Sequence, residues 1–175
     1  YIEILPEDGK LIVNADDRTS FFGLRPKTPF VTDALAAAAD YGAKKIDVAD
    51  GAQTFEIVRR EKRKRTSLGR FTLRIPGAFN VANALAAATA AFELGISPDV
   101  VRTTLSEFHG IWRRFERVGE RPMDPQSGSG QSAVIISDYG HHPTAVRATV
   151  EGAKEFFPDR RIVLAFQPHH HNRTK

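Results

Sequence analysis

The sequence contains no cysteine, which rules out both a disulfide framework and a thiolate metal site. That fits a reducing compartment. No apolar run approaches the ~20 residues that a membrane span requires, and the first residues show no signal-peptide pattern. Any excess of one sign of charge is also small, since the net charge is only +4, which suits an anionic small molecule as readily as nucleic acid. The one dense basic run, residues 59–65, has only Phe55 and Phe71 near it, with no aromatic interleaving. It reads as a solvated hairpin tip rather than a nucleic-acid surface. What remains is an ordinary globular composition, 41% hydrophobic and 26% charged, in 175 residues that suffice for one domain or two small ones. No internal repeat is visible.

The chain is organised around residues 136–144, Ile-Ser-Asp-Tyr-Gly-His-His-Pro-Thr. Before them, residues 133–136 form an unbroken apolar run, expected as a strand buried on both faces. After them, Pro143 suits the first turn of a helix, and Val146, Val150, Ala153 and Phe157 form its apolar stripe. Residues 161–166 read as a second buried strand, which predicts a parallel βαβ unit. Its carboxyl edge would gather Asp138 to His142 with residues 167–173, placing five of the six histidines at one rim.

Earlier in the chain, residues 10–14 read as a strand and residues 18–31 as irregular. Thr32 is expected to cap an alanine-rich helix over 33–40. Residues 44–48, 54–60 and 70–75 read as strands, the last with period-2 alternation. Residues 80–94 predict a long, buried, nearly all-apolar helix, and Ser97-Pro98-Asp99 starts another that runs to Phe108. Residues 112–118 read as a strand that turns one of Arg113 and Arg114 inward, towards an anion. Residues 119–132 are rich in Gly, Ser and Pro and read as a loop or hairpin tip.

Asp138, between strand and helix, reads equally as a ligand for ribose or a cation and as a turn aspartate capping backbone N–H groups. The histidine clusters invite a zinc reading, but no cysteine or nearby glutamate completes them. They suit an anionic substrate better. Asn80 reads as an N-cap, whereas Asn83 in a buried helix needs a partner, such as the donor and acceptor edge of adenine.

Four motifs in order then carry a resemblance. Gly77-Ala78-Phe79-Asn80-Val81-Ala82-Asn83-Ala84, Phe108-His109-Gly110-Ile111-Trp112-Arg113-Arg114-Phe115-Glu116, Asp138-Tyr139-Gly140-His141-His142-Pro143-Thr144 and Phe166-Gln167-Pro168-His169 resemble the Mur ligases. These are the ATP-dependent amino-acid ligases of peptidoglycan precursor synthesis, that is, of the bacterial cell wall. The resemblance implies an α/β fold. Residues 1–110 would be part of a P-loop-type central ATP-binding domain, and residues 111–175 part of a Rossmann-like C-terminal domain.

It implies a cytoplasmic enzyme using ATP and Mg²⁺, with UDP-N-acetylmuramate and L-alanine as substrates and neither nucleic acid nor membrane as partner. Arg114 and His142 would be catalytic, and Asn80, Asn83, Arg114 and Asp138 would hold the nucleotide. Tyr139, His141, His169 and Arg173 would hold the substrates, Arg173 taking the amino acid's carboxylate. No residue here would ligate the metal. The motifs after residue 138 point to the branch that acts on the muramate carboxylate. The murein-peptide recycling branch, and a histidine-based metal module of another class, stand as alternatives. Phe79, Ser137 and His170 depart from the pattern expected of that branch. The family's phosphate-binding glycine loop has no counterpart and the first residue is Tyr1, so the chain is expected to be a segment of a longer protein, inactive by itself.

Overall fold

The computed structural model describes residues 4–17, 19, 27–62, 64–123 and 132–168. A five-stranded sheet holds β1 (Leu11–Asn14), β2 (Phe30–Ala34), β3 (Tyr41–Ala49), β4 (Ala52–Glu61) and β5 (Lys64–Leu73) in sequence order. β1, β2 and β3 run parallel, and β3, β4 and β5 continue as antiparallel hairpins. Two helices follow, α1 (Ala78–Glu93) and α2 (Pro98–Glu107). A separate antiparallel pair, β6 (Glu116–Pro122) and β7 (Ser132–Ser137), precedes α3 (Pro143–Phe156).

Strand periodicity builds the core. Tyr41, Ala43, Phe55, Ile57, Phe71 and Leu73 alternate with outward residues and bury one face of β3–β5. Onto that face α1 lays Val81, Ala84, Leu85 and Ala88, with the spacing of one helical stripe, and α2 adds Val101. Each fully buried side chain of Phe or Leu size contributes about 1.5–3 kcal/mol of transfer free energy. Phe71 stacks on Phe55 and meets Phe92 edge-on. Arg102 locks α2 to β5: its guanidinium donates to the carbonyls of Arg70 and Leu68 at 3.0 and 3.1 Å, pairs with Asp99, and covers the Phe71 ring at 5.2 Å. At the far end of α1, Glu93 accepts from Lys10 Nζ at 2.6 Å and from the Tyr41 hydroxyl at 2.7 Å. These two bonds hold its carboxyl below the usual range.

Several expectations are corrected. No helix forms over 33–40. Asp16 takes the N–H groups of Leu35, Ala36 and Ala37 on its carboxylate, and Thr32 bonds Asp40 through backbone and side chain. Those acceptors replace the helical ones, so residues 30–34 extend as β2 and tertiary partners override alanine's helix propensity. Residues 112–115 are a turn, not a strand, with left-handed backbone at Arg113 (φ 56°) and Phe115 (φ 48°). α1 is not buried all round, since Asn83 and Ala87 are exposed. Its N-cap is Gly77, not Asn80.

The parallel βαβ unit is also absent among the described residues. β7 pairs only with β6, antiparallel, and is half-buried rather than covered on both faces. Residues 161–168 run without strand pairing, and Val163 and Leu164 are exposed. An apolar run becomes a buried strand only when a neighbour takes its backbone N–H and C=O groups. The basic run does lie at the β4–β5 tip, as expected.

Candidate active site

Two short loops, more than twenty residues apart in sequence, are bonded into one clasp. Asp138 follows β7 and spends both carboxylate oxygens on backbone: Oδ2 accepts from Phe115 N at 2.9 Å and Oδ1 from Gly140 N at 2.6 Å. Tyr139 N donates to the Arg113 carbonyl at 2.9 Å, and Glu116 accepts from Arg113 N at 3.0 Å. These acceptors hold the positive-φ turn at 112–115. Asp138 therefore serves as a backbone anchor, and each oxygen keeps a further lone pair for another donor.

Arg113 and Arg114 both point outward, contrary to the expectation of an inward arginine. The Arg113 guanidinium lies between two rings, 5.3 Å from Trp112 and 5.0 Å from Tyr139. Tyr139 continues the row to His141 at 5.3 Å, and His141 to His142 at 5.5 Å. His142 is the N-cap of α3, its Nδ1 accepting from Ala145 N, with Pro143 at the first helical position. Turn, loop and helix start thus bring Asp138, Tyr139, His141 and His142 to the turn that carries the exposed Arg114. Sequence reasoning missed the Trp112–Arg113–Tyr139 stack; the only signal was an aromatic beside paired arginines.

Asn80 and Asn83 lie on the first turns of α1. The Asn80 amide donates to the Pro76 carbonyl at 2.6 Å, leaving its own oxygen available, and Asn83 is exposed. Gln53, fully buried, fixes the entry to this helix by donating to the carbonyls of Ile75 and Gly77 at 2.6 and 3.2 Å. Gly77 has φ 92°, and a Cβ there would lie 2.5 Å from the Phe79 ring. No described hydrogen bond or ring contact joins Asn80 or Asn83 to the clasp. The two parts of the molecule meet instead through Gly152 of α3 against Gly77.

His169 and Arg173, with His170 and His171, fall outside the described residues. Among the described residues no three His, Asp or Glu side chains stand together to hold a metal ion. No helix there is long and apolar enough to cross a membrane. A cleft lined by Lys45, Glu56, Ser67, Gly69 and Arg70 shares no residue with the clasp or with the α1 start.

The comparisons with known proteins follow this layout. Residues 2–91 match the Mur ligase middle domain, and residues 113–175 match the Mur ligase glutamate ligase domain. The UDP-N-acetylmuramate–L-alanine ligases of Burkholderia vietnamiensis and Burkholderia ambifaria are each 40% identical over 180 aligned residues, covering 100% of this chain and 36% of theirs. The crystal structure of UDP-N-acetylmuramate–alanine ligase from Thermotoga maritima superposes with a TM-score of 0.69 at 31% identity, over 91% of this chain and 33% of that one. Folylpolyglutamate synthetase from Lactobacillus casei, at 14% identity and a TM-score of 0.59, shares the fold. The chain thus spans about a third of the length of the relatives it matches. It belongs to the Mur ligase family.

Proposed function

We propose that the protein containing this chain is a cytoplasmic, ATP-dependent ligase of peptidoglycan precursor synthesis that joins L-alanine to the carboxylate of UDP-N-acetylmuramate through an acyl phosphate. The observation that carries the reading is the clasp, in which Asp138 anchors the turn that carries an exposed Arg114 and leads into a pair of imidazoles at the start of α3. The 40% identity to ligases of that name supports the choice of substrates. Residues 1–110 are assigned to the central domain and residues 111–175 to the C-terminal one. The two family matches, ending at 91 and resuming at 113, support that division.

In this reading Asn83 and the free oxygen of Asn80 meet the adenine edge, a pairing asparagine makes well. Arg114 answers charge developing on phosphoryl oxygens, where cationic donors stabilise the transition state most. Asp138 orients the clasp and can accept from the nucleotide's ribose. Tyr139 and His141 face the incoming amino acid, and His142 the acyl phosphate. Arg173 is assigned to the amino acid's carboxylate, because its planar fork matches that group. Magnesium, when bound, supplies charge neutralisation at the phosphates, and its ligands are assigned to the remainder of the protein.

The test compares the full-length protein with residues 1–175 alone. With ATP, UDP-N-acetylmuramate and L-alanine the former should release phosphate and the latter none. Turnover by the 175 residues, or none by the full-length protein, overturns the reading. Arg173→Ala should raise the KM for alanine roughly 30-fold or more, from a 2–5 kcal/mol charge-assisted contact, and move the KM for ATP little.

A further inference from the structure

The two neighbouring imidazoles at the mouth of the clasp are held by opposite kinds of backbone partner. His141 Nδ1 lies 3.1 Å from the Tyr139 carbonyl oxygen. A carbonyl can only accept, so this Nδ1 carries the proton and the lone pair of the neutral ring sits on Nε2. His142 Nδ1 lies 3.4 Å from Ala145 N, which can only donate. Here Nδ1 carries the lone pair, and the proton sits on Nε2. The adjacent side chains are thereby fixed in opposite tautomers, with ring centroids 5.5 Å apart and planes at 85°. His141 thereby keeps an acceptor at Nε2 and His142 a donor at Nε2. The His141 ring also meets the Tyr139 ring, which the Arg113 guanidinium covers at 5.0 Å.

We propose that this pair divides the labour of amide formation: His141 is the proton acceptor for the amino acid's ammonium group, and His142 donates to an oxygen of the acyl phosphate. The proposal rests on the ligase reading above. An amino acid arrives as an ammonium ion, which has no lone pair with which to attack. His141 Nε2 takes one proton, and its Nδ1–H bond to the Tyr139 carbonyl stays in place as it does so. The freed amine lone pair forms the C–N bond at the acyl carbon, giving a tetrahedral centre. That centre collapses by breaking the C–O bond to phosphate. The second N–H proton leaves with the phosphate as hydrogen phosphate, and His141 returns its own to solvent. Dianionic acyl phosphate plus ammonium thus becomes amide, hydrogen phosphate and one released proton. His142 cannot exchange roles with His141 without giving up the cap of α3. Among the described residues the groups facing His141 are Tyr139 and His142, with Arg113 on the tyrosine and Asp138 holding the Gly140 N–H of the same loop.

The test uses the full-length protein and two nucleophiles. Hydroxylamine is already neutral at physiological pH and needs no base, whereas alanine does. His141→Asn keeps an amide donor near the Nδ1 position and has nothing at Nε2. It should cut kcat for alanine by about 10²–10⁴, the usual worth of a positioned base, while hydroxamate formation from ATP and UDP-N-acetylmuramate falls less than about tenfold. The residual alanine rate should climb about tenfold per pH unit, following the free amine. His142→Asn keeps a good capping acceptor and removes the Nε2 donor, so it should slow both nucleophiles by a similar factor. Equal losses for alanine and hydroxylamine in His141→Asn, or a flat pH profile, overturn the base assignment. Wild-type protein that forms no hydroxamate overturns the ligase reading and this inference with it.

Discussion

Gly152 of α3 rests directly on Gly77, the residue that opens α1: a Cβ at Gly152 would lie 3.1 Å from the Gly77 Cα and 3.2 Å from its nitrogen. Backbone, unlike the far end of a side chain, cannot swing aside. The absence of two side chains lets the helix after the clasp approach the helix that carries Asn80 and Asn83.

Replacing a mid-helix glycine by alanine ordinarily stabilises by about 0.5–1 kcal/mol. Gly152→Ala should reverse that sign and cost about 1–3 kcal/mol, the usual penalty of overpacking. Urea unfolding of the chain with and without the substitution gives the answer. A raised midpoint would mean that α3 does not lie on Gly77.

Gln53 is the buried link between the end of β5 and the start of α1. Gln53→Leu keeps the bulk and removes the amide donor from the Ile75 carbonyl, while the Gly77 carbonyl keeps its bonds from Asn80 N and Val81 N, for an expected loss of about 1–3 kcal/mol. If Asn80 and Asn83 meet the nucleotide as proposed, the substitution should also raise the KM of the full-length protein for ATP, because the first turn of α1 loses its tether. An unchanged midpoint in denaturant would contradict the role given to this amide.

Asp33 is 2% exposed with one carboxylate oxygen unpartnered, and burial, followed by the nearby Asp16, pushes its carboxyl up to about 6. The folded chain therefore binds a proton that the unfolded chain, with an ordinary value of 3.8, has already released. Between those two values the native state holds more protons, so this group's contribution falls as pH rises and is lost above about 6. At the upper bound the change is roughly 3 kcal/mol. Asp33→Asn should raise stability at neutral pH and leave it little changed near pH 4, as measured by denaturant midpoints at both. A variant whose advantage over wild type does not vary with pH would refute the assignment.

Arg102 contributes two carbonyl bonds and a ring contact to one interface, and pairs with Asp99 on its own helix. Arg102→Lys retains the charge and loses the fork, and should cost about 1–2 kcal/mol. Hydrogen exchange at the amides of α2 should quicken more than exchange within β3 or β4. Uniform acceleration across the chain would argue against a local clamp.

Where local chemistry decides the backbone, the sequence is legible. Ser97-Pro98-Asp99 begins α2, with Ser97 accepting from Val100 N, and the alternation around Phe71 and Leu73 gives β5. Pro143 opens α3 for the same kind of reason. The misreadings share a cause, which is an acceptor or neighbour distant in sequence. Asp16 captures residues 35–37 across about twenty positions, and Asp138 captures Phe115 across twenty-three. Neither reach leaves a local mark. The candidate site follows the same division. Asp138, Tyr139, His141 and His142 stand out as a loop between strand and helix, whereas the placing of Arg113 between two rings depends on a left-handed turn that composition does not encode.

The unpaired run at 161–168 bears on how the 175 residues behave at high concentration. It is largely apolar and has no strand partner among the described residues, which leaves its backbone groups for a strand of another molecule to pair with. Val163, Leu164 and Phe166 would be the adhesive residues, and Arg160 and Arg161 the charged gatekeepers that restrain them. Light scattering over a dilution series should show reversible association. Leu164→Lys should abolish it while leaving the β1–β5 sheet and its two helices untouched.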